Sequence, residues 1–182
     1  VMDMLTFSKE RTPQRIEADL NETTAEVIEL MSTRAQEAGV ELRFDGGEEL
    51  PKAFFDPDAM HQAILNLVTN AIDAVNSNKD HELGADDSQS ESPAPGVVAV
   101  TTRFDPESGW LVDVTDNGTG VSPEDRQKIF SLFESKKGAR GTGLGLPVSA
   151  KILKEHGGEI EILDPASGQG CCFRLRLPPK QQ

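Results

Sequence analysis

Three glycines alternate with other residues in the run Gly141-Thr142-Gly143-Leu144-Gly145-Leu146, the segment of this sequence best suited to bind phosphate. Glycine lets the backbone approach a ligand closely and adopts positive φ angles, so that consecutive N–H groups can converge on an anion. Pro147 suits the first turn of a helix, and a helix that begins there would direct unpaired N–H groups toward the run. Taken alone, the run is equally compatible with a flexible turn.

Two common phosphate-binding loops are excluded by the residue types. The sequence contains no G-x-x-x-x-G-K-[ST] motif, and Leu146 stands where the dinucleotide-binding fingerprint requires a glycine. Just before the glycine run, Lys136, Lys137 and Arg140 form a basic segment whose cations could contact phosphate oxygens. An exposed basic loop is the alternative interpretation of these three residues.

A second candidate set lies on a long helix that Asp56 is predicted to cap and that should run to about Val75. Asn66, Asn70 and Asp73 follow one another at spacings of four and three, so they share one stripe of that helix. Amides are poor residues for a helix interior, and amides among buried apolar neighbours need hydrogen-bond partners or a ligand. We favour a ligand here, and a polar surface stripe is the alternative.

A third candidate is Asp116, at the end of a predicted strand and beside Gly118 and Gly120. Its carboxylate could accept a hydrogen bond from an exocyclic amine such as that of adenine. The two glycines would keep the floor of such a pocket open to a flat ring. On its own, this stretch is also typical of a tight Asp-Asn-Gly turn.

Composition limits the classes of function. The 182 residues carry a formal charge of −13, which makes a role in binding duplex nucleic acid unfavourable. The same charge repels ATP, so a nucleotide site here would need a divalent cation and local basic residues. No run of apolar residues is long enough to span a membrane, and no signal peptide is present. We expect a cytoplasmic location for this part of the protein, whether or not the parent protein is anchored in a membrane elsewhere.

The positions of single residues add smaller expectations. The chain begins at Val1, so we expect it to be a fragment of a longer protein. The adjacent Cys171 and Cys172 should point to opposite faces of a strand, one toward the core and one toward the surface, and should not pair. His156 follows a predicted helix closely enough to act as a cation at its C-terminal end.

Hydrophobic periodicity and turn signals predict the elements that would position these candidates. A helix over Asn21–Ala38 should be capped by Asn21 or by Thr23 with Glu26. Polar composition predicts a disordered insertion over 76–96. The remaining predictions are strands over 15–20, 40–44, 53–55, 97–104, 110–116, 159–163 and 171–177, a short helix over 122–130 and a helix from Pro147 to about 156.

Four blocks stand in a fixed order along the chain. They are Asn66-x-x-x-Asn70-Ala71, Asp116-x-Gly118-x-Gly120, Phe130-x-x-Phe133, and the run at 141–146 leading to His156-Gly157-Gly158. In this order the blocks resemble the N box, first glycine box, F box and second glycine box of the ATP-binding catalytic domain of sensor histidine kinases. Those domains belong to the wider gyrase, Hsp90, histidine kinase and MutL superfamily.

The resemblance implies an α/β two-layer sandwich, with a mostly antiparallel mixed sheet backed by helices, known as the Bergerat ATP-binding fold. It implies ATP and Mg²⁺ as ligands. Asn70 resembles the Mg²⁺-coordinating residue, and Asn66 would lie near it on the phosphate side. Asp116 resembles the carboxylate that recognises adenine, with Gly118 and Gly120 shaping the base pocket.

The run at 141–146 resembles the segment at the hinge of the ATP lid and under the phosphates. The resemblance therefore assigns Gly141, Thr142, Gly143, Leu144, Gly145 and Leu146 to nucleotide binding. Lys136 occupies the place of a frequent lid lysine, and Arg140 is a further candidate for phosphate. Phe130 and Phe133 would pack the lid, dock it against another domain, or belong to the core.

The resemblance also implies an organisation and partners. Residues 1–12 resemble the end of a helix of the dimerisation and phosphoacceptor domain, and 13–180 the ATP-binding domain. The full-length protein would be a homodimer that phosphorylates its own phosphoacceptor domain and serves a response regulator receiver domain. None of His61, His81 or His156 has the context of the phosphoacceptor histidine, so this fragment should bind ATP without phosphorylating itself on histidine.

Two departures from the family pattern leave the function partly open. Some relatives have, at the position of Asp73, a basic residue that can contact phosphate directly. Asp73 itself can contact phosphate only through a metal. A hydrolytic ATPase clamp such as gyrase or MutL would need a catalytic glutamate in the helix, where Asn66 stands. A non-catalytic nucleotide-binding module and a serine-kinase regulator on the same fold are also compatible with the pattern.

Overall fold

The computed structural model describes residues 12–82, 95–126, 128–130 and 145–179. Among these residues no helix has the length and apolar character needed to cross a membrane. The elements, in chain order, are β1 (Ile16–Ala18), α1 (Leu20–Glu37), β2 (Val40–Asp45), β3 (Ala53–Phe55), α2 (Pro57–Glu82), β4 (Gly96–Asp105), β5 (Gly109–Asp116), a 3₁₀ turn (Lys128–Phe130), α3 (Gly145–Glu155), β6 (Glu159–Leu163) and β7 (Cys171–Leu177).

A five-stranded mixed sheet in the order β2-β4-β5-β7-β6 forms one layer of the domain. Only β2 and β4 are parallel, and the other three pairs are antiparallel. A separate antiparallel pair joins β1 to β3. The predicted fold class, a mostly antiparallel mixed sheet backed by helices, is therefore confirmed.

The core lies between one face of this sheet and the helices. Because side chains alternate along a strand, each strand contributes every second residue to the core. From the sheet these include Val98, Val100, Val112, Val114, Phe173 and Leu175, and α2 contributes Met60, Ile64, Leu67, Val68, Ala71 and Ile72, all of them buried. The long apolar surface of α2 makes this helix the central element of the helical layer, and that surface also fixes which stripe of α2 remains polar.

The opposite face of the sheet carries charged side chains. Arg174 on β7 donates two hydrogen bonds to Asp113 on β5, at 2.7 and 2.8 Å, and Arg103 on β4 lies 3.5 Å from the same carboxylate. The Asp113 contact raises the pKa of the Arg174 guanidinium. The charged side chains on this face pair with one another, whereas the side chains on the helical face of the sheet form the apolar core.

The long helix departs most from its predicted boundaries. The sequence predicts an end near Val75, but the helix continues to Glu82, so the insertion predicted from residue 76 cannot begin there. The residues after Val75 are polar yet lack Pro or Gly before Gly84, and a polar stretch without these breakers can extend a helix. At the other end of the predicted insertion, Gly96 belongs to β4.

Two smaller predictions about helices were wrong. The α1 helix is capped by Asp19, whose carboxylate accepts from the N–H groups of Asn21 and Glu22 at 2.8 and 3.2 Å. Asp is as good a cap as Asn, and Asp19 stands two residues before Asn21, so the helix begins at Leu20. The short helix expected over 122–130 is a turn over 123–126 and a 3₁₀ turn over 128–130.

Candidate functional site

The end of β5 carries the buried carboxylate that the sequence singled out. Asp116 is 3% exposed, and its Oδ1 accepts a hydrogen bond from the N–H of Gly118 at 2.8 Å. A backbone N–H of this kind orients the carboxylate and satisfies part of its need for donors. Asp116 is therefore held in a fixed position at the end of a central strand, beside the helical layer.

Three glycines pack around Asp116 with no room for a side chain. A Cβ on Gly118 would lie 2.7 Å from the backbone carbon of Ala74 on α2. Gly120 (φ +70°) would meet the carbonyl oxygen of Gly170 at 2.8 Å, and a Cβ on Gly170 (φ +89°) would overlap the carbonyl oxygen of Asp116. These contacts bring the Asp116 turn, the loop before β7 and α2 together at backbone distance. We call Asp116, Gly118, Gly120, Gly170 and Ala74 the carboxylate end of the site.

Cys171 lies directly opposite Asp116 on the neighbouring strand, with its side chain on the same face of the sheet. Both cysteines are free and buried, so the expectation that one of the two would lie at the surface was wrong. Burial, and after it the charge of Asp116, raises the pKa of the Cys171 thiol to about 12. The thiol is therefore protonated at neutral pH and adds no second charge beside the carboxylate.

Asn66 on α2 uses its side chain to hold the start of α3. Its amide nitrogen donates to the carbonyl oxygen of Gly145 at 3.0 Å and to the hydroxyl of Ser149 at 3.1 Å. Its amide oxygen accepts from Gln62 at 2.8 Å. Since an amide group has two donor hydrogens, both are used in these contacts. We call Asn66, Gln62, Gly145 and Ser149 the amide end of the site.

Helices α2 and α3 run antiparallel and are tied at further points. The hydroxyl of Ser149 donates to the carbonyl oxygen of Ala63 at 3.2 Å. At the far end, the N–H of Asp56 donates to Nε2 of His156 at 3.0 Å, and Nδ1 of His156 lies 2.7 Å from the carbonyl oxygen of Ile152. Because Nε2 accepts and a carbonyl cannot donate, the proton of the buried ring is on Nδ1. His156 is thus a neutral link between helices, and the capping cation predicted for it was wrong.

Asp56 also fixes the point at which the chain enters the domain. Its carboxylate accepts from the N–H of Ala59 at 3.1 Å, which confirms the predicted helix cap, and from the N–H of Gln14 at 2.8 Å. The guanidinium of Arg15 donates to the carbonyl oxygen of Glu155 at the end of α3. The segment before β1 is therefore attached to both helices of the pair.

Asp73 lies one turn after Asn70 on α2 and forms an ion pair across the helical layer. Its Oδ1 accepts from the guanidinium of Arg34 on α1 at 2.9 Å. Asn70 itself is partly exposed on the same stripe. Neither Asp73 nor Asn70 is without partners, and Asp73 is occupied at least by this arginine.

Of the residues in the glycine run, the structure describes only the last two. Gly145 begins α3, two residues before the predicted start at Pro147, and Leu146 packs against the core. Gly141, Thr142, Gly143, Leu144, Lys136, Lys137, Arg140 and Phe133 lie outside the described residues, as do residues 1–11. Phe130 packs against the core, in agreement with one of the three roles considered for it.

The two ends of the site lie along one face of α2. Asn66, Asn70 and Ala74 are four residues apart, and Gly145 contacts the first while Gly118 contacts the last. Eight residues of helix separate the two contacts by about 12 Å. An elongated ligand lying along α2 would therefore meet a carboxylate at one end, an amide in the middle and the start of α3 at the other end.

Some contributors to the site were not among the sequence candidates. Ser149, Gln62 and Ala74 owe their roles to packing between helices and loops, which periodicity does not reveal. Gly170 had a signal, since a glycine just before a strand often marks a close backbone approach. Within the described residues no group of three or more His, Cys, Asp or Glu side chains could by itself hold a metal ion.

The chain is similar in sequence to known histidine kinases. The family model described as "Histidine kinase-, DNA gyrase B-, and HSP90-like ATPase" matches residues 55–181. Sensor histidine kinase ZraS of Escherichia coli (strain K12) is 34% identical over 160 residues, which make up 88% of this chain and 30% of ZraS. This chain therefore spans less than a third of the length of that relative.

Solved structures of histidine kinases share the fold. Full-length ShkA in complex with AMPPNP matches with a TM-score of 0.78 and 26% identity, over 97% of this chain and 34% of ShkA. Histidine kinase ThkA in complex with the response regulator protein TrrA matches with a TM-score of 0.75 and 27% identity, over 99% of this chain and 46% of that chain. Since the family model covers more than half of it, this chain belongs to the histidine kinase-, DNA gyrase B- and HSP90-like ATPase family, and its fold is that of histidine kinase domains.

Proposed function

We propose that this chain is the ATP-binding catalytic domain of a sensor histidine kinase, which binds Mg–ATP and presents the γ-phosphate to a histidine on another domain. The observation that carries the proposal is the alignment of the two ends of the site along α2. Gly118, whose N–H binds Asp116, contacts one end of that face, Gly145 contacts the other, and Asn70 lies between them. This order matches the base, metal and phosphate order of a nucleoside triphosphate.

The adenine would bind at the carboxylate end. One oxygen of Asp116 accepts from Gly118, and a carboxylate has further lone pairs with which it can accept from an exocyclic amine. The glycines contribute indirectly, because their close backbone contacts hold the Asp116 turn against α2 and against the loop before β7. Family membership and the AMPPNP bound to ShkA support this assignment.

The residues present fit a magnesium ion held jointly with the nucleotide. Mg²⁺ prefers oxygen ligands and is usually bound by one or two protein groups together with phosphate oxygens and water. Asn70 offers one amide oxygen, and the described residues form no metal cage of their own, so the ion would depend on the phosphates for its other ligands. The metal would neutralise phosphate charge in a chain whose net charge is −13.

The phosphate tail would extend toward Asn66 and the start of α3. The free N–H groups of the first helical turn favour anions. Both donor hydrogens of Asn66 are used to hold Gly145 and Ser149, so we assign Asn66 the task of positioning that turn. The remaining phosphate candidates are Lys136, Arg140 and residues 141–144, and their assignment rests on the family resemblance.

Catalysis in this proposal consists of positioning and charge neutralisation. Phosphoryl transfer demands little covalent chemistry from the protein, since most of the rate enhancement comes from holding the donor and the acceptor in line. The acceptor histidine would belong to a dimerisation and phosphoacceptor domain. In this proposal, residues 1–12 are the end of the last helix of that domain. The response regulator in the ThkA complex supports a receiver domain as the next acceptor, and the full-length protein would be a cytoplasmic or cytoplasm-facing homodimer.

Titration with Mg–ATP tests the binding part of the proposal. Asp116→Asn should lower the affinity by at least about tenfold, because it replaces the acceptor for the adenine amine with a group that also donates. Asn70→Asp should change the Mg²⁺ dependence of binding. Unchanged Mg–ATP affinity in both variants would contradict the assignment.

Asp113→Asn is a matched control for Asp116→Asn. Asp113 is on the same strand, three residues earlier, but it faces the opposite side of the sheet and pairs with Arg174. This variant should retain wild-type affinity for ATP.

The kinase part of the proposal is tested with the full-length protein, in which label from γ-labelled ATP should appear as acid-labile phosphohistidine. Steady release of inorganic phosphate without a phosphohistidine would instead indicate a hydrolytic ATPase.

A further inference from the structure

The Arg34–Asp73 ion pair adds a cation to the polar stripe of α2. Arg34 belongs to α1, and its guanidinium donates to Oδ1 of Asp73 at 2.9 Å. The two side chains are 52% and 31% exposed, so the pair faces solvent rather than the core. Exposed ion pairs of this kind contribute little to stability, so replacing Arg34 should leave the fold intact.

The position of Asp73 makes its charge important for a nucleotide site. Asp73 follows Asn70 by three residues and Asn66 by seven, so the three side chains lie on one face of the helix. An isolated carboxylate on that stripe would repel a polyphosphate, in a chain that is already strongly acidic. Arg34 offsets this repulsion locally.

The guanidinium has donors to spare. Arginine presents five N–H donors in a planar fork that matches phosphate oxygens. Among the described residues, Arg34 uses its side chain in a single hydrogen bond, the one to Asp73. The contact fixes the guanidinium beside the stripe while leaving most of its fork to the solvent side.

We propose that Arg34 is a phosphate-binding residue of the site and that Asp73 is the residue that positions it. The ligand class is a nucleoside polyphosphate, contacted on its phosphates and not on its base. This inference rests on the proposed function, because it takes the stripe on α2 to be the place where the triphosphate lies. The inference places a phosphate-binding arginine on α1, a helix that contains none of the four sequence blocks.

The test compares Mg–ATP, Mg–ADP and adenosine as ligands of wild type and Arg34→Gln. Asp73 is next to Ala74 and three residues from Asn70, so the guanidinium would meet the phosphates nearest the base, which ATP and ADP share. Loss of this contact should therefore lower the affinity for both ATP and ADP about tenfold and leave adenosine affinity unchanged. Arg34→Lys should recover part of the loss, since it restores the charge without the fork. In Arg34→Gln/Asp73→Asn, ATP should bind more tightly than in Arg34→Gln alone, because the unpaired carboxylate is gone.

Arg43→Gln is the matched control. Arg43 is also an exposed arginine in an ion pair, with Glu41, but it lies on the outer face of the sheet. Both variants lower the net charge by one, so a loss of ATP affinity in Arg34→Gln that Arg43→Gln shares would overturn the inference as a general field effect. An equal loss for ATP and adenosine would overturn it as a structural effect.

The two proposals fail in different ways. If wild type binds Mg–ATP and Asp116→Asn abolishes binding, but Arg34→Gln binds like wild type, the proposed function stands and the role of Arg34 is wrong. If wild type binds no Mg–ATP at all, both are wrong.

Discussion

The two ends of the site are built by different means. At the carboxylate end, backbone meets backbone: Gly118 lies against Ala74, and Gly170 lies against the carbonyl oxygen of Asp116. At the amide end, α3 is held by side chains, through the bonds from Asn66 to Gly145 and Ser149. A contact between bare backbones tolerates no added atom, whereas a hydrogen-bonded side chain can be replaced at the cost of its bonds. The carboxylate end should therefore be the more sensitive to substitution.

Glycine substitution at the carboxylate end should have the largest effect. Gly170→Ala forces a Cβ into the carbonyl oxygen of Asp116 at a positive φ, so it should cost about 3 kcal/mol or more in the free energy of unfolding. Gly168→Ala is the matched control, because its φ is +73° but nothing lies within 4 Å of the added Cβ. It should cost only about 1 kcal/mol. Equal losses in denaturant unfolding would refute the close-packing account.

Removing the amide at the other end should cost less. Asn66→Ala loses the bonds to Gly145, Ser149 and Gln62, and it leaves the hydroxyl of Ser149 and the carbonyl of Gly145 to find new partners. We expect a loss of about 1–3 kcal/mol in unfolding free energy, measured by denaturant titration. A cost above that of Gly170→Ala would reverse the ranking of the two ends.

Ser149→Ala should have a smaller effect and should depend on Asn66. Ser149 is fully buried and uses its hydroxyl both to accept from Asn66 and to donate to Ala63. The single variant should cost about 1 kcal/mol. In a double-mutant cycle with Asn66→Ala the two losses should not add, and the coupling should be at least about 0.5 kcal/mol. Simple additivity would show that the two groups act independently.

The effect expected to be smallest at neutral pH is that of the Cys171 thiol, which appears as a pH dependence at the carboxylate end. Since the pKa of the Cys171 thiol is raised to about 12 in the folded protein, its contribution is complete below the ordinary thiol pKa. Above about pH 9 the unfolded chain loses this proton more readily than the folded chain, so the stability contributed by Cys171 falls. The difference in unfolding free energy between wild type and Cys171→Ser should therefore shrink as the pH rises from about 9 toward 12. A constant difference would contradict the raised pKa.

Local signals predicted most of the fold. The alternation of apolar residues gave the bounds of β6 and β7, and Asp56 followed by Pro57 marked the start of α2. Predictions failed where an equally good capping residue stood just before the predicted helix, as Asp19 does at α1, or where composition was taken for disorder, as after Val75. In both cases the residue types were compatible with either outcome.

The sequence predicted several individual residues of the site, but it did not predict which residues contact one another. Types and spacing singled out Asn66, Asn70, Asp73 and Asp116, but their partners depend on how separate elements pack. Nothing in the sequence indicates that Arg34 meets Asp73, or that the ring of His156 joins Asp56. Such contacts cross 39 and 100 positions of the chain, and only the folded structure brings them together.

The imidazole of His156 has a consequence for communication through the domain. It bonds the last turn of α3 to the first residue before α2, and the carboxylate of that residue, Asp56, bonds the N–H of Gln14. A displacement of the last turn of α3 would therefore act, through two hydrogen bonds, on the backbone at Gln14. Movement of the helical pair would in this way reach the segment before β1 without any change in the sheet.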